Sequence, residues 1–379
     1  MSPRRQTQTV ETPDQIPAST LTTNAPAPMI AILKADARHL PLYAESMDCC
    51  VTSPPYWGLR KYDCGDAQFG LEATPQEYVD GMVAVFREVR LVLKPAGTLW
   101  LVIGDSYSTQ AGQGFNPGGG GQGNRWKRQN GDFWQPNRKS IAGLKPKDLV
   151  GIPWRVAFAL QADGWWLRSD IVWAKSNPMP ESVRDRPTKA HEYVFLLAKS
   201  ERYYYDATAI AEPIVYGDHP RNGVPGPDIQ APGQPVQSGI TKRRRSGNKE
   251  RVLGPGRARP GSHLGASIPW EDRNGKRNRR SVWTIATQPY RGAHFATFPE
   301  ELARVCIRAG CPPGGIVLDP FGGSGTVAKV AYEEGRTAVS VDLAYHELAK
   351  DRTSGLQASL CYDVTEWEDP MGPQPAGKR

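Results

Sequence analysis

A chain of 379 residues has room for one large domain carrying an insertion, or for two domains. Its 39 Gly and 34 Pro force long irregular stretches, no apolar run comes near the roughly 20 residues that span a bilayer, and the first residues put no apolar core behind their arginines, so neither membrane insertion nor secretion is expected. A net charge of +8 favours a polyanionic partner.

In chain order, short apolar runs at 29–33 and 49–53 predict strands. Residues 76–93 place Tyr78, Val79, Met82, Val83, Phe86, Val89, Val92 and Leu93 on one helical face, and a Lys-Pro-Ala-Gly stop then leads into a strand at 98–104. Seven glycines between 112 and 123, followed by Arg125, Trp126, Lys127 and Arg128, read as a loop carrying charge and an aromatic ring. A helix follows at 149–162, then strands at 166–174 and 192–197. Residues 216–280 hold 14 Lys and Arg against five Asp and Glu, with 11 Gly and eight Pro and no helical or strand period. That composition predicts an inserted basic segment. Beyond it come a helix at 300–309, a strand at 316–319, a helix at 326–334, a strand at 337–342 and a helix at 345–357. Continuous apolar strands alternating with helices predict an α/β fold, a doubly wound, mostly parallel sheet with ligands at the carboxyl ends of its strands. The expected divisions are a tail at 1–28, two halves of one domain at 29–205 and 282–363, the basic insert at 206–281 and a polar tail at 364–379. The six cysteines make no C-x-x-C, so reduced thiols and no metal site are expected.

Two turns carry chemistry. The strand at 316–319 ends in Asp319 and runs into Pro320, Phe321, Gly322, Gly323, Ser324, Gly325 and Thr326 before a helix begins, which lets a ligand approach bare backbone. Asp342 ends the next strand, where a carboxylate can accept from both hydroxyls of a ribose. The pattern is neither G-x-G-x-x-G nor a phosphate loop with Lys-Ser/Thr. A nucleoside without phosphates therefore fits better than a dinucleotide or a triphosphate, and a plain tight turn is the other use. At the end of the strand at 49–53, Ser53, Pro54, Pro55 and Tyr56 hold the chain extended with two donors removed. Ser53 and a proline carbonyl can accept both protons of a planar ligand's NH2 while Tyr56 stacks on its ring; a strand terminator with core-packed aromatics is the competing use.

Val-Thr-Ser-Pro-Pro-Tyr at 51–56 and Leu-Asp-Pro-Phe-Gly-Gly-Ser-Gly-Thr at 318–326 together resemble the S-adenosylmethionine-dependent DNA amino-methyltransferases, which modify the exocyclic amine of cytosine or adenine. With the catalytic motif first, a recognition region next and the cofactor loop last, the order resembles that family's beta arrangement. The resemblance covers about 29–206 and 282–349. It implies a Rossmann-like methyltransferase sheet, S-adenosylmethionine as cofactor, double-stranded DNA as partner with base flipping, a cognate restriction endonuclease and a cytoplasmic setting in a bacterial, archaeal or phage-infected cell. It also implies catalytic roles for Ser53, Pro54, Pro55 and Tyr56, and cofactor contacts from Asp36, Phe295, Phe298, Asp319, Phe321, Gly322, Gly323, Ser324, Gly325, Thr326 and Asp342. His294 and Pro299 match the same cofactor-flanking segment. DNA phosphates are expected on Lys242, Arg243, Arg244, Arg245, Arg277, Arg279 and Arg280, with a solvated linker the alternative use of that segment, and Arg125, Trp126 and Lys127 either belong to a plain loop or help to hold an opened duplex. Asp185, Arg186 and Glu192 fall in a stretch resembling the family's closing segment and are assigned no chemistry. Ser53 before Pro-Pro is similar to cytosine N4 enzymes, with adenine N6 the alternative. An RNA or protein-amide substrate, or DNA binding without catalysis, are the remaining alternatives. Cytosine C5 chemistry needs a cysteine after proline, and no Pro-Cys occurs.

Overall fold

The first long helix, α1 (Pro75–Val92), starts where its sequence provides a cap: Thr74 accepts from Glu77 N and the Glu77 carboxylate reaches back to Thr74 N, with proline at the first helical position. The computed structural model describes residues 27–58, 68–108, 143–213, 276–288, 299–356 and 360–363. Residues 1–206 with 280–379 form one unit and residues 207–279 a second.

The first unit is built on a nine-stranded sheet. Its strands are β1 (Ile30–Lys34), β2 (Met47–Thr52), β3 (Leu93–Ile103), β4 (Trp166–Ala174) and β5 (His191–Ala198), followed by β8 (Val282–Thr284), β9 (Ile316–Asp319), β10 (Thr337–Val341) and β11 (Leu360–Asp363). Between β5 and β8, β6 (Glu212–Pro213) and β7 (Lys276–Arg277) pair antiparallel in the second unit. Across the large sheet the order is β11, β1, β10, β9, β2, β3, β5, β4, β8. Its pairings are parallel except where β5 meets β3 and β4. From β2 the chain steps outward to β3, and from β9 it steps the other way to β10. The β2/β9 pair, with Cys49 opposite Val317 and Cys50 opposite Leu318, is therefore the switch point where such sheets take ligands.

Helices cover both faces. Leu99, Leu101 and Ile103 of β3 join α1 and α2 (Ile152–Ala162) in one apolar cluster. Trp100, pointing the opposite way, stacks between Tyr205 and Trp283 and meets Gly310 at the end of α3 (Glu300–Gly310). α4 (Thr326–Glu333) and α5 (His346–Thr353) follow β9 and β10. Cys49, Cys50, Cys306 and Cys311 are buried and form no disulfide. Among the described residues no helix is long and apolar enough to cross a membrane.

β4 and β9 keep the expected bounds, and most other elements shift by a few residues. The largest difference is β3, which begins at Leu93 and takes in the Lys-Pro-Ala-Gly sequence. Leu93 pairs with Met47, the register then breaks, and Thr98 pairs with Cys49. Within the break the chain is held by Lys94 to Asp48 and by Tyr204 N and Lys199 N donating to Ala96 O and Gly97 O.

Candidate active site

Both sequence turns lie at the switch point. Thr52 ends β2, Asp319 ends β9, and Thr52 Oγ1 donates to Asp319 Oδ1 at 2.6 Å across 267 positions of sequence. Both side chains are buried. Asp319 Oδ1 also accepts from Phe321 N at 3.1 Å, bending the chain into the glycine loop. Burial pushes the Asp319 carboxyl up to about 7; the nearby Asp342 charge adds to this, and the bonds from Thr52 and Phe321 oppose it.

The loop needs glycine for space and for conformation. Gly322 N donates to Val341 O at 2.9 Å, and a Cβ on Gly322 would fall 1.9 Å from Ser340 Oγ. Gly323 and Gly325 have φ of 50° and 75°, which side chains disfavour. Asp342, just past β10, holds the loop from the side. Its Oδ2 accepts from Gly323 N at 2.9 Å, and its Oδ1 accepts from Ala344 N at 2.8 Å and Tyr345 N at 2.7 Å. A carboxylate has about four lone-pair sites, so capacity for a ribose hydroxyl remains. Ser324 and Thr326 have a structural task that the sequence does not disclose. Both hydroxyls accept from Arg352 Nη1 at 2.9 Å, while Arg352 Nη2 binds Glu300 Oε1, which also takes Lys329.

Asp36 follows β1 at the same edge of the sheet. Burial raises its carboxyl, but bonds from the Arg38 guanidinium and backbone outweigh this and hold it below the ordinary value. Arg38 lies 5.5 Å over the Phe69 ring, which meets Phe321 edge-on at 5.8 Å. Asp36 and Phe321 are thus tied together through two residues that belong to neither motif.

The Ser-Pro-Pro-Tyr turn differs in part from its expectation. The Pro55 carbonyl is not free, because Tyr78 Oη donates to it at 2.9 Å. No bond to the Pro54 carbonyl is found among the described residues. Trp57 is buried and gives its indole N–H to Glu72 O, so it belongs to the core. The edge of the Tyr56 ring rests on Gly104, where a Cβ would come 2.6 Å from Cε2. Tyr56 Oη donates to Glu192 Oε2 at 2.6 Å, and Ser53 Oγ donates to Tyr56 Oη at 3.4 Å. Glu192 Oε1 in turn pairs with Lys175 Nζ. Burial pushes the Tyr56 hydroxyl well above its ordinary value, and Glu192 adds to the shift.

Glu192 is therefore in the site, although the sequence assigned it no chemistry. Its neighbours Asp185 and Arg186 make ion pairs with Lys147 and Glu181. Asp105, one residue past Gly104, accepts from Gly151 N and Ile152 N and so caps α2. In the second unit Arg277 pairs with Glu212. Arg279 lies in that unit, and Arg280, in the first, accepts on its carbonyl from Trp283 Nε1. Phe295 and Phe298 with His294, Lys242 to Arg245, and the Arg125–Trp126–Lys127 group lie outside the described residues.

Over residues 47–351 the sequence matches the DNA methylase family of N6 and N4 methyltransferases. The chain belongs to the DNA methylase family. It is 43% identical over 325 residues to the Type II methyltransferase M.SmaI of Serratia marcescens, covering 85% of this chain and 89% of that one. It is also 41% identical over 331 residues to M.Cfr9I of Citrobacter freundii, covering 84% of each. In fold, this DNA methylase resembles the PvuII DNA methyltransferase (cytosine-N4-specific), with a TM-score of 0.51 and 18% identity over 86% of this chain and 88% of that one. A second likeness of fold is to TTHA0409 of Thermus thermophilus in complex with S-adenosyl-L-methionine, with a TM-score of 0.50 and 20% identity over 88% and 98%. The family's methyl donor, S-adenosylmethionine, carries a sulfonium and an ammonium. The donor set fits such a cation: among the described residues neither Asp319 nor Asp342 pairs with a Lys or Arg, and a side chain at Gly322 between them would strike Ser340.

Proposed function

We propose that this DNA methylase transfers a methyl group from S-adenosylmethionine to the exocyclic N4 of a cytosine flipped out of duplex DNA. The observation that carries the reading is the buried Thr52–Asp319 bond, which fastens the amine-accepting turn to the glycine loop at one switch point. Ser53 before Pro-Pro supports cytosine over adenine by its resemblance to the N4 enzymes. Likeness to Type II methyltransferases supports modification of one duplex site that a cognate endonuclease would otherwise cut.

Asp342, the backbone of Gly322 to Gly325, Phe321, Asp319 and Asp36 would hold the cofactor, with Phe295 and Phe298 flanking it. When bound, the cofactor supplies an electrophilic methyl on sulfur. Ser53 Oγ and the Pro54 carbonyl accept hydrogen bonds from the two amine N–H groups, which draws nitrogen lone-pair density out of the base ring and aims it at that methyl. The nitrogen–carbon bond forms as the carbon–sulfur bond breaks and leaves a neutral thioether, and the methylated amine then releases one proton to solvent. Extruding the base costs a few kcal/mol, and stacking on Tyr56 returns ~1 to 3 kcal/mol. Catalysis is then mostly alignment and electrostatics. Lys242, Arg243, Arg244, Arg245, Arg277, Arg279 and Arg280 supply phosphate contacts.

The test is to incubate the protein with unmethylated duplex DNA and labelled S-adenosylmethionine, digest to nucleosides and identify the labelled one by mass spectrometry. Label on cytosine N4 is expected. Label on adenine N6 would overturn the base assignment and keep the chemistry, and no labelled base would overturn both. Ser53→Ala should lower the rate about 10-fold or more while cofactor affinity measured by calorimetry persists.

A further inference from the structure

Behind the amine-accepting turn stands a line of polar side chains that runs away from it: Ser53, Tyr56, Glu192 and Lys175. They are brought together from three strands: Ser53 and Tyr56 follow β2, Glu192 lies in β5 and Lys175 follows β4. β5 runs antiparallel to its neighbours, so its first residues arrive at the edge where β2 and β3 end, and this brings Glu192 to Tyr56. Glu192 lies opposite Trp173, and Lys175 follows β4 directly, with its backbone N–H on Ala190 O at 2.8 Å. Lys175 Nζ pairs with Glu192 and sits 4.8 Å from the centre of the Trp173 ring, whose indole N–H is anchored on Ile285 O. Both ends of the ion pair are mostly buried, at 20% and 16% side-chain exposure.

The direction of the hydrogens along this line follows from what each group can do. An ionised carboxylate only accepts, so the single proton of Tyr56 Oη must point at Glu192, at a distance usual for a charge-assisted O–H···O bond. Tyr56 Oη is left with lone pairs, and Ser53 Oγ spends its single proton on them. Ser53 Oγ then has lone pairs alone to offer a ligand. Resting on the assignment of Ser53 as an amine acceptor, we infer that Glu192, braced by Lys175, is a positioning residue that fixes this direction. The target site consequently favours a base bearing NH2 over one bearing a carbonyl in the same place. A carbonyl is met only if Ser53 turns its proton away from Tyr56 Oη, which gives up that bond.

Glu192→Gln tests the inference, because the amide can donate to Tyr56 Oη and let both hydroxyl protons reverse. The duplex carries the site mapped by the labelling experiment, with the target position occupied by cytosine or by uracil, each opposite an abasic nucleotide so that opening costs the same. If the mapped base is adenine, the pair is adenine and hypoxanthine. In the wild type the amino base binds more tightly than the keto base. In Glu192→Gln that gap narrows by about 10-fold and kcat falls by about 10-fold or more, while cofactor affinity stays within about two-fold. Lys175→Met, which removes the brace and keeps the carboxylate, narrows the gap less. Should Glu192→Gln melt below the assay temperature, the gap in Lys175→Met decides. An unchanged gap, whether or not kcat falls, overturns the inference and leaves Glu192 a packing role. A wild type that methylates no base is the separate failure of the amine-acceptor assignment, visible before any variant is made.

Discussion

Asp319 is the residue whose protonation couples most directly to the fold. Its folded pKa near 7 lies above the ordinary 3.8, so between those values the folded protein binds a proton that the unfolded chain does not. The stability it contributes is full below about pH 4 and is lost as pH rises through about 7. Asp319→Asn cannot ionise, so in thermal melts the wild type should lose stability relative to the variant from about pH 4 to 7, by up to a few kcal/mol, and run parallel to it above that. Curves parallel over the whole range would mean that the carboxyl is already ionised at the lower pH. Gly104 makes the second prediction at this scale. Alanine there would put a Cβ 2.6 Å from a Tyr56 ring whose hydroxyl is tied to Glu192, so the ring cannot simply rotate away. Gly104→Ala should cut kcat about 10-fold and leave cofactor affinity within about two-fold, and equal losses in both would show a general loosening of the site.

At the scale of elements, Arg352 is how α5 reaches the glycine loop. One nitrogen serves Ser324 and Thr326 and another serves Glu300 at the start of α3, a fork that Lys cannot reproduce. Arg352→Lys should weaken cofactor binding about 10-fold by calorimetry with a smaller change in melting temperature, and unchanged affinity would confine Arg352 to holding helices together. Gly310 acts on the opposite side of the sheet from α1. A Cβ there would come 2.1 Å from Trp100 Nε1 and 2.7 Å from Thr98 Oγ1, both buried in the sheet. Gly310→Ala should therefore cost about 2 to 3 kcal/mol in denaturant unfolding while cofactor affinity of the folded fraction is unchanged.

The elements also show what the sequence discloses and what it withholds. The Ile316–Asp319 strand was legible to the residue because its apolar run is short, buried and bounded by punctuation on both sides. The start of β3 was not, because Lys-Pro-Ala-Gly is a stop in local terms and only the pairing of Leu93 with Met47 keeps those residues in the sheet. Ser53 to Tyr56 and the glycine loop stand out as candidates because their residues are contiguous in sequence, and the fold brings the two turns to one switch point. Glu192 and Arg352 could not be given roles, since each acts across the fold and its partners depend on strand direction and helix placement. Which proline carbonyl is taken, and where the Trp57 indole N–H goes, could not be read for the same reason: their partners, Tyr78 and Glu72, come from elsewhere in the chain.

For the whole molecule, charge is unevenly spread: residues 216–280 carry more net positive charge than the entire chain. Binding that uses those cations should weaken linearly in log affinity against log salt, with a slope of about −0.9 per phosphate contacted. Deleting 242–245 should lower duplex affinity and flatten that slope by about one to four such contacts, and an unchanged slope would assign the four cations to solvent.

The bond between Thr52 and Asp319 has a consequence for how the protein is made. A ribosome that has finished β2 must add some 267 more residues before its partner strand exists, which at about 5 to 20 residues per second takes tens of seconds. Throughout that time the Ser-Pro-Pro-Tyr turn has no glycine loop beside it. On the proposed chemistry a nascent or prematurely terminated chain transfers no methyl group, and modification begins only with molecules whose synthesis has passed β9.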